Sequence, residues 1–545
     1  MLTSIMNTLQ QLNINQPTAA LSFQKGKIFF GTVKNIYPND FALVQIGKQN
    51  LLAQLEAAIT NGESYWFQVD SDEGDIQLKL LSKQDQGGSN ISAILKHLAL
   101  PPTKENTEIT SFLSKEQLPF NKDTILKINN LLAHNNNTKQ SLNVIRIMLT
   151  KGFPLTESVF KSLLAADNPE RIQNKIQLLE HQLIKEEQTP AVQALQKSIF
   201  SLKESALKPL AIKLIQLLTE ETHSNNEVRQ PLAINILQKM GVKLEEPSFS
   251  QSNPNENQKQ QLPVPQHLPE MKPIVLEENR KNQELFGQRT ISPKLVDAAV
   301  DLLEKYMSKD MKQDFRLFTE QEKDFFKGIL ESIKQSFSGK ESLYQFKEIT
   351  KSLGIFYESQ ILQPLAEHNQ VEESLKPSLI KFLQESNHSS PIRDTAEALV
   401  NKMNGQQIQS YDNGPMQHLH YEIPINLFGY HTNVKMQWSG KKTEDGKIDP
   451  NYCHVLFFLD LEHIHETVVE MKVQNRVITV NVYNESTAIK DKANELTSLL
   501  KGGLEKIHYQ LSAVHFIKKD NNPLTANREK MNTLNKSYTG VDIRV

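Results

Sequence analysis

The chain has 545 residues, which at roughly 150 per domain makes three or four domains, so a single compact catalytic core does not describe it. Its 61 Lys+Arg against 63 Asp+Glu leave a net charge of -2, which excludes a chain-wide positive field for nucleic acid or an anionic membrane; 38% hydrophobic residues leave part of the chain without a core. One cysteine, Cys453, excludes a disulfide framework and cysteine-cluster zinc sites, and the lack of any apolar run of 18 or more excludes an ordinary transmembrane helix.

Residues 1–24 carry no charged side chain. With no Lys or Arg and no continuous apolar run they do not form a secretory signal, while Leu2, Ile5, Met6, Leu9 and Leu12 suit an amphipathic lead-in helix. Residues 25–82 read as short strands between turns. Ile28 and Phe30 begin one strand, Ala42, Val44 and Ile46 alternate after Pro38-Asn39-Asp40, Tyr65, Phe67 and Val69 follow Asn61-Gly62, and Ile76, Leu78 and Leu80 finish. The spacing predicts a small closed barrel of the OB or SH3-like kind.

From 91 to 245 the period becomes helical, with stripes at Ile125, Ile128, Leu131 and Leu132, at Val144, Ile145, Met148 and Leu149, and at Ile172, Ile176, Leu179 and Leu183. Asn121 and Thr156, each behind an apolar-Pro-apolar step, are predicted N-caps of two echoing helix starts. Residues 246–290, rich in Pro, Asn and Gln, read as a linker, and 291–403 as a second helical domain, with a joint from Asn404 to Pro415. Residues 416–520 are predicted as an α+β domain of five strands, one helix (Ala493, Leu496, Leu500, Leu504) and a last strand near Leu511, leaving 521–545 as a tail. The fold class expected is thus multidomain α+β: N-terminal barrel, two helical blocks, C-terminal α+β domain.

Chemistry is sparse. There is no phosphate-loop glycine run, no G-x-G-x-x-G and no nucleophile elbow. His465-Glu466 begins like a zinc-peptidase helix but lacks the second histidine, and Gly440-Lys441-Lys442-Thr443 lacks the upstream glycine of a phosphate loop. Eight histidines between Tyr411 and Asp520 show no ligand spacing, and Cys453 shares its strand face with Val455 and Phe457, away from His454, as a core thiol would. No catalytic, metal or cofactor-binding residue and no small-molecule substrate is assigned, so a non-enzymatic protein is expected. The barrel aromatics Phe29, Phe30, Tyr37, Phe41, Tyr65, Trp66 and Phe67, with Lys25, Lys27, Lys34 and Lys48, leave one alternative: a cytoplasmic nucleic-acid-associated adaptor whose rings stack on bases. The competing reading makes the same rings barrel core.

At the C-terminal domain the runs Leu459-Asp460-Leu461-Glu462-His463-Ile464-His465, Val468-Val469-Glu470-Met471, Arg476-Val477-Ile478-Thr479-Val480 and Leu496-x-x-Leu499-Leu500-Lys501-x-x-Leu504 before Tyr509-x-Leu511-Ser512 resemble the C-terminal domain of the flagellar hook-length control protein (FliK) family. His465 stands where that pattern has a corner glycine, and His508 where it has the glycine before the last strand. The resemblance implies a non-enzymatic cytoplasmic interaction protein whose C-terminal domain binds the export-gate switch protein of the flagellar type III apparatus, or a paralogue, and controls export substrate specificity. It also implies export of the chain itself, with residues 1–24 as the signal. No cofactor and no membrane insertion are implied. The apolar residues Leu499, Leu500, Leu504 and Leu511 are the candidate partner contacts; as a helical stripe they also read as core.

Overall fold

The computed structural model describes residues 25–37, 40–46, 49–55, 59–71, 76–83, 89–133, 135, 138–242, 291–307, 318–336, 339–361, 374–385, 389–410, 416–427, 430–443, 447–486 and 489–518. The uncharged N-terminal segment, the linker at 246–290 and the tail at 521–545 lie outside them.

Five strands open the fold: β1 (Ile28–Ile36), β2 (Phe41–Ile46), β3 (Gln49–Leu55), β4 (Ser64–Ser71) and β5 (Gln77–Lys83). They close a barrel in the order β1-β2-β3-β5-β4, with β3 and β5 parallel and the other pairs antiparallel, the Greek-key order of an OB-type barrel. Alternation sends Phe29, Val33, Val44, Ala53, Phe67, Val69 and Leu78 inward. Gly31 is required where β1 meets β2, because a Cβ there would lie 2.5 Å from Val44 Cγ1.

Helices α1 (Ser89–His97), α2 (Lys104–Lys115), α3 (Lys122–Leu132), α4 (Thr138–Lys151), α5 (Glu157–Asp167) and α6 (Ile172–Leu183) follow. Asn121 caps α3 by accepting from Thr124 N at 2.8 Å, whereas Thr156 makes no side-chain cap on α5. The barrel is tied to these helices by reciprocal main-chain hydrogen bonds between Ile28 and Phe120, 2.7 and 2.9 Å, and by Trp66, whose ring lies 5.9 Å from Phe120 and 5.3 Å from Phe30.

Next come α7 (Pro190–Thr222), α8 (Arg229–Lys239), α9 (Pro293–Met307), α10 (Glu320–Ser336), α11 (Gly339–Leu353), the short α12 (Tyr357–Ile361) and α13 (Leu375–Gln384). The 33-residue α7, entered through Thr189 and Pro190, is the spine of this part; Leu210, Leu214 and Leu218 pack with Ile236, Leu303, Phe326 and Ile333. Serines let neighbours approach it: Ser205 and Ser352 hydroxyls are 2.6 Å apart.

α14 (Ser390–Ser410) leads into β6 (Met416–Leu427), β7 (Tyr430–Lys442), β8 (Ile448–Leu461), β9 (His465–Gln474), β10 (Val477–Asn484), α15 (Ile489–Glu505) and β11 (Gln510–Lys518). These strands form one sheet in the order β11-β10-β9-β8-β7-β6, with only β11 running parallel to its neighbour among the paired strands described. The five strands, helix and strand expected from the sequence are thus present. α14 runs on through Gly405, which the sequence alone reads as a joint. The glycine is helical because α14 crosses α5 there: a Cβ would meet Ser162 O at 2.0 Å and Ala166 Cβ at 2.7 Å.

The chain forms two compact units. One holds the described residues up to Glu186, Leu379–Ile423 and those from Asn433 onward; the other holds Glu187–Ser378 with Pro424–Thr432. In the first, β6 supplies the cap that α6 lacks. Glu422 accepts from Ile172 N at 2.8 Å, and its carboxylate is held by Asn433 Nδ2 at 2.9 Å and Lys402 Nζ at 3.1 Å. Arg171 pairs with Asp460 of β8 beside it.

Candidate partner-binding site

The C-terminal crossover β10-α15-β11 is built from two helical faces. Ala493, Thr497 and Leu504 are half-buried toward the sheet, where Leu504 joins Val473, Ile478, Val480, Leu511 and Val514. The adjoining face is bare: Leu496 is 62% exposed, Leu499 74%, Leu500 41%, and Ile507 just beyond the helix 59%. The stripe therefore leaves large apolar side chains uncovered next to the small core that Leu504 joins. Gly502 and Gly503 border it with open space, since a Cβ on either meets nothing within 4 Å.

Of the four candidate contacts, Leu499 and Leu500 lie on the bare face while Leu504 and Leu511 meet inside the small core beneath. Leu496 and Ile507, which the sequence reading left out of the candidate set, complete the outer stripe. Leu496 carried a visible signal, because it sits three residues before Leu499 and four before Leu500.

The turns that frame the site use left-handed backbone. His465 enters β9 at φ 54° and His508 ends α15 at φ 63°, where Tyr509 N closes the helix onto Leu504 O at 2.9 Å. Between β9 and β10 the two-residue turn Asn475-Arg476 has φ 50° and 62°, the type I′ pattern. Arg476 keeps its side chain there at a backbone cost, stacking over the Tyr509 ring at 5.8 Å and donating to Asn451 Oδ1 at 2.8 Å.

The other titratable cluster of the sheet is closed. Glu470 accepts from Asn481 Nδ2 (2.7 Å) and Tyr483 OH (3.0 Å) and pairs with His454 Nε2 (2.9 Å) and Lys472 Nζ (3.0 Å). Burial alone would raise its pKa, but hydrogen bonds from His454, Asn481 and Lys472 outweigh it and hold the carboxyl well below the usual range. So held, it is a structural anion with no spare lone pair for proton transfer. Burial pushes the half-buried Cys453 thiol up, away from nucleophilic thiolate. Among the described residues no group of three His, Cys, Asp or Glu is placed to hold a metal, and no helix is long and apolar enough to cross a membrane.

In the barrel, Phe29, Tyr65, Trp66 and Phe67 are buried, Phe30 and Phe41 half-buried, and Tyr37 exposed. Trp66 and Phe30, the best stacking candidates, are used to join barrel and helices. Lys25 and Lys34 are exposed, Lys27 is partly buried and its pKa lowered by that burial, and Lys48 lies outside the described residues.

Fold and site together define a multidomain α+β chain whose C-terminal mixed sheet presents a bare apolar helix face. No protein-family profile and no solved structure matches it. Among curated proteins it is similar to the uncharacterized protein YlqG of Bacillus subtilis (strain 168), at 20% identity over 531 residues that cover 91% of this chain and 90% of the relative.

Proposed function

We propose that this chain is a non-enzymatic interaction protein related to flagellar hook-length control, which meets a type III export-gate component from the cytoplasmic side and controls export substrate specificity. The observation that carries the reading is the backbone at His465 and His508. Both have positive φ, and both stand where the hook-length control pattern has glycine, the residue that adopts this conformation without strain. Two independent positions therefore fit the geometry of that pattern although their residue type departs from it. The bare stripe Leu496, Leu499, Leu500 supplies a surface for the gate component.

The test is calorimetric titration of the full chain against the cytoplasmic domain of a flagellar export-gate switch protein. Leu499→Asp with Leu500→Asp is expected to weaken binding by about 30-fold or more, as for loss of one interface hot spot. Absence of binding by the wild-type chain, or equal binding by the double variant, overturns the reading.

A further inference from the structure

The two edges of the C-terminal sheet are finished differently. At β6 the outward amides are closed off by side chains of α14. His420 N donates to Ser410 Oγ at 2.8 Å and Glu422 N to Gln406 Oε1 at 3.3 Å, every second residue, as the pleat requires. β6 also contains Pro424, a residue that sheets confine to their edges. β11, at the other end, has none of this: among the described residues nothing pairs with its outer edge. Its nine residues contain no proline and, before Lys518, no charge, so the devices that blunt an edge are absent. Leu511 to Ile517 has instead the composition of a pairing strand, apolar and aromatic with neither Gly nor Pro.

A second copy of the same strand fits this edge. Paired antiparallel about Val514, β11 meets itself over its whole length, and Lys518 of each copy falls opposite Gln510 of the other. The two lysines then stand about 27 Å apart along the strand, whereas parallel pairing would set them side by side. Charge therefore selects the two-fold arrangement. Such a dimer also closes: the joined sheets end at both sides in β6, whose amides α14 already occupies, so no third copy can add.

We propose that β11 pairs with the β11 of a second copy, antiparallel about Val514, so that two chains share one continuous sheet. This inference does not rest on the export-gate reading, and it leaves the apolar stripe open. The right-handed crossover that parallel neighbours obey turns Leu496, Leu499 and Leu500 toward β9, and sets the exposed Ser498, Lys501 and Glu505 beside the outer edge.

His515 gives the test. Its exposed side chain lies on the sheet face opposite Val514, and the pairing brings the two copies of His515 within about 7–8 Å diagonally across the two-fold axis. Sedimentation equilibrium of the full chain should give twice the monomer mass. His515→Lys and His515→Glu each set like charges together there, and each should weaken dimerisation about tenfold or more. An equimolar mixture of the two variants should restore association to the wild-type level through the mixed dimer, which also shows that both are folded. A monomeric wild-type chain overturns the proposal. Variants that associate as the wild type does, or a mixture that stays as weak as its parts, overturn it as well.

Discussion

Lys402 of α14 and Glu422 of β6 face each other at 3.1 Å with both side chains sealed from solvent, and together they hold the first turn of α6. The ammonium also donates to the carbonyls of Asn168, at 3.2 Å, and Glu170. Burial pushes its pKa down, opposed by the Glu422 charge. A buried pair of this kind is costly to break from one side, because the partner stays buried without compensation. Glu422→Gln is expected to destabilise the unit by about 3–5 kcal/mol. Both tryptophans, Trp66 and Trp438, lie in this unit, so urea unfolding followed by Trp fluorescence reads it directly. A loss under about 1 kcal/mol would count the pair as an ordinary surface one.

Gly405→Ala should be among the most disruptive small substitutions in the chain. The obstructing atom is the Ser162 carbonyl of another helix, which cannot swing aside as a side chain can. Separation of α5 and α14 is expected to cost about 3 kcal/mol or more, well above the gain of about 1 kcal/mol that alanine brings to an open helix. At Gly502, with open space around it, the same substitution is expected to stabilise by about 1 kcal/mol. Opposite signs for the two variants in denaturant unfolding check the contrast.

Two groups contribute to the acid response in different windows. Burial, helped by the Lys151 and His418 charges, lowers the His420 pKa from 6.5 to about 4. Between those values the unfolded chain binds a proton that the folded chain does not, so stability falls as pH drops from about 6.5 to about 4. Glu470, depressed below 4.5, contributes stability that is present above that value and is lost as pH falls beneath it. His420→Gln should flatten the upper limb and Glu470→Gln the lower, seen in stability measured against pH. Identical profiles for wild type and both variants would contradict these assignments.

His465→Gly and His508→Gly are each expected to stabilise the C-terminal domain by about 1 kcal/mol, the strain that a side chain suffers in the left-handed region. Arg476→Gly should gain less, because it also gives up the contacts with Tyr509 and Asn451. Thermal unfolding of the three variants ranks them.

What the sequence showed follows from local periodicity. The stripes Ile125, Ile128, Leu131 and Ile172, Ile176, Leu179 are buried, and the alternating C-terminal runs are strands. β3 escaped because Gln49-Asn50-Leu51-Leu52-Ala53-Gln54-Leu55 has little strand preference; its pairing with β2 and β5 fixes it instead. Gly405 misled because a glycine permitting close approach looks like one that ends a helix. The candidate contacts divided for a similar reason: one helical period carries both Leu504 and Leu499, and only the position of β11 decides which faces the core. The Glu422 cap was out of reach, since it joins residues 250 apart.

That separation sets a clock on synthesis. Ile172 leaves the ribosome some 250 residues before Glu422, and at about 5–20 residues per second the first turn of α6 waits roughly 10–50 s for its carboxylate. Throughout that interval the early helices carry amides and surface that the late α14 and β6 come to cover, so the nascent chain is exposed to chaperones and proteases for longer than a protein of sequential domains would be.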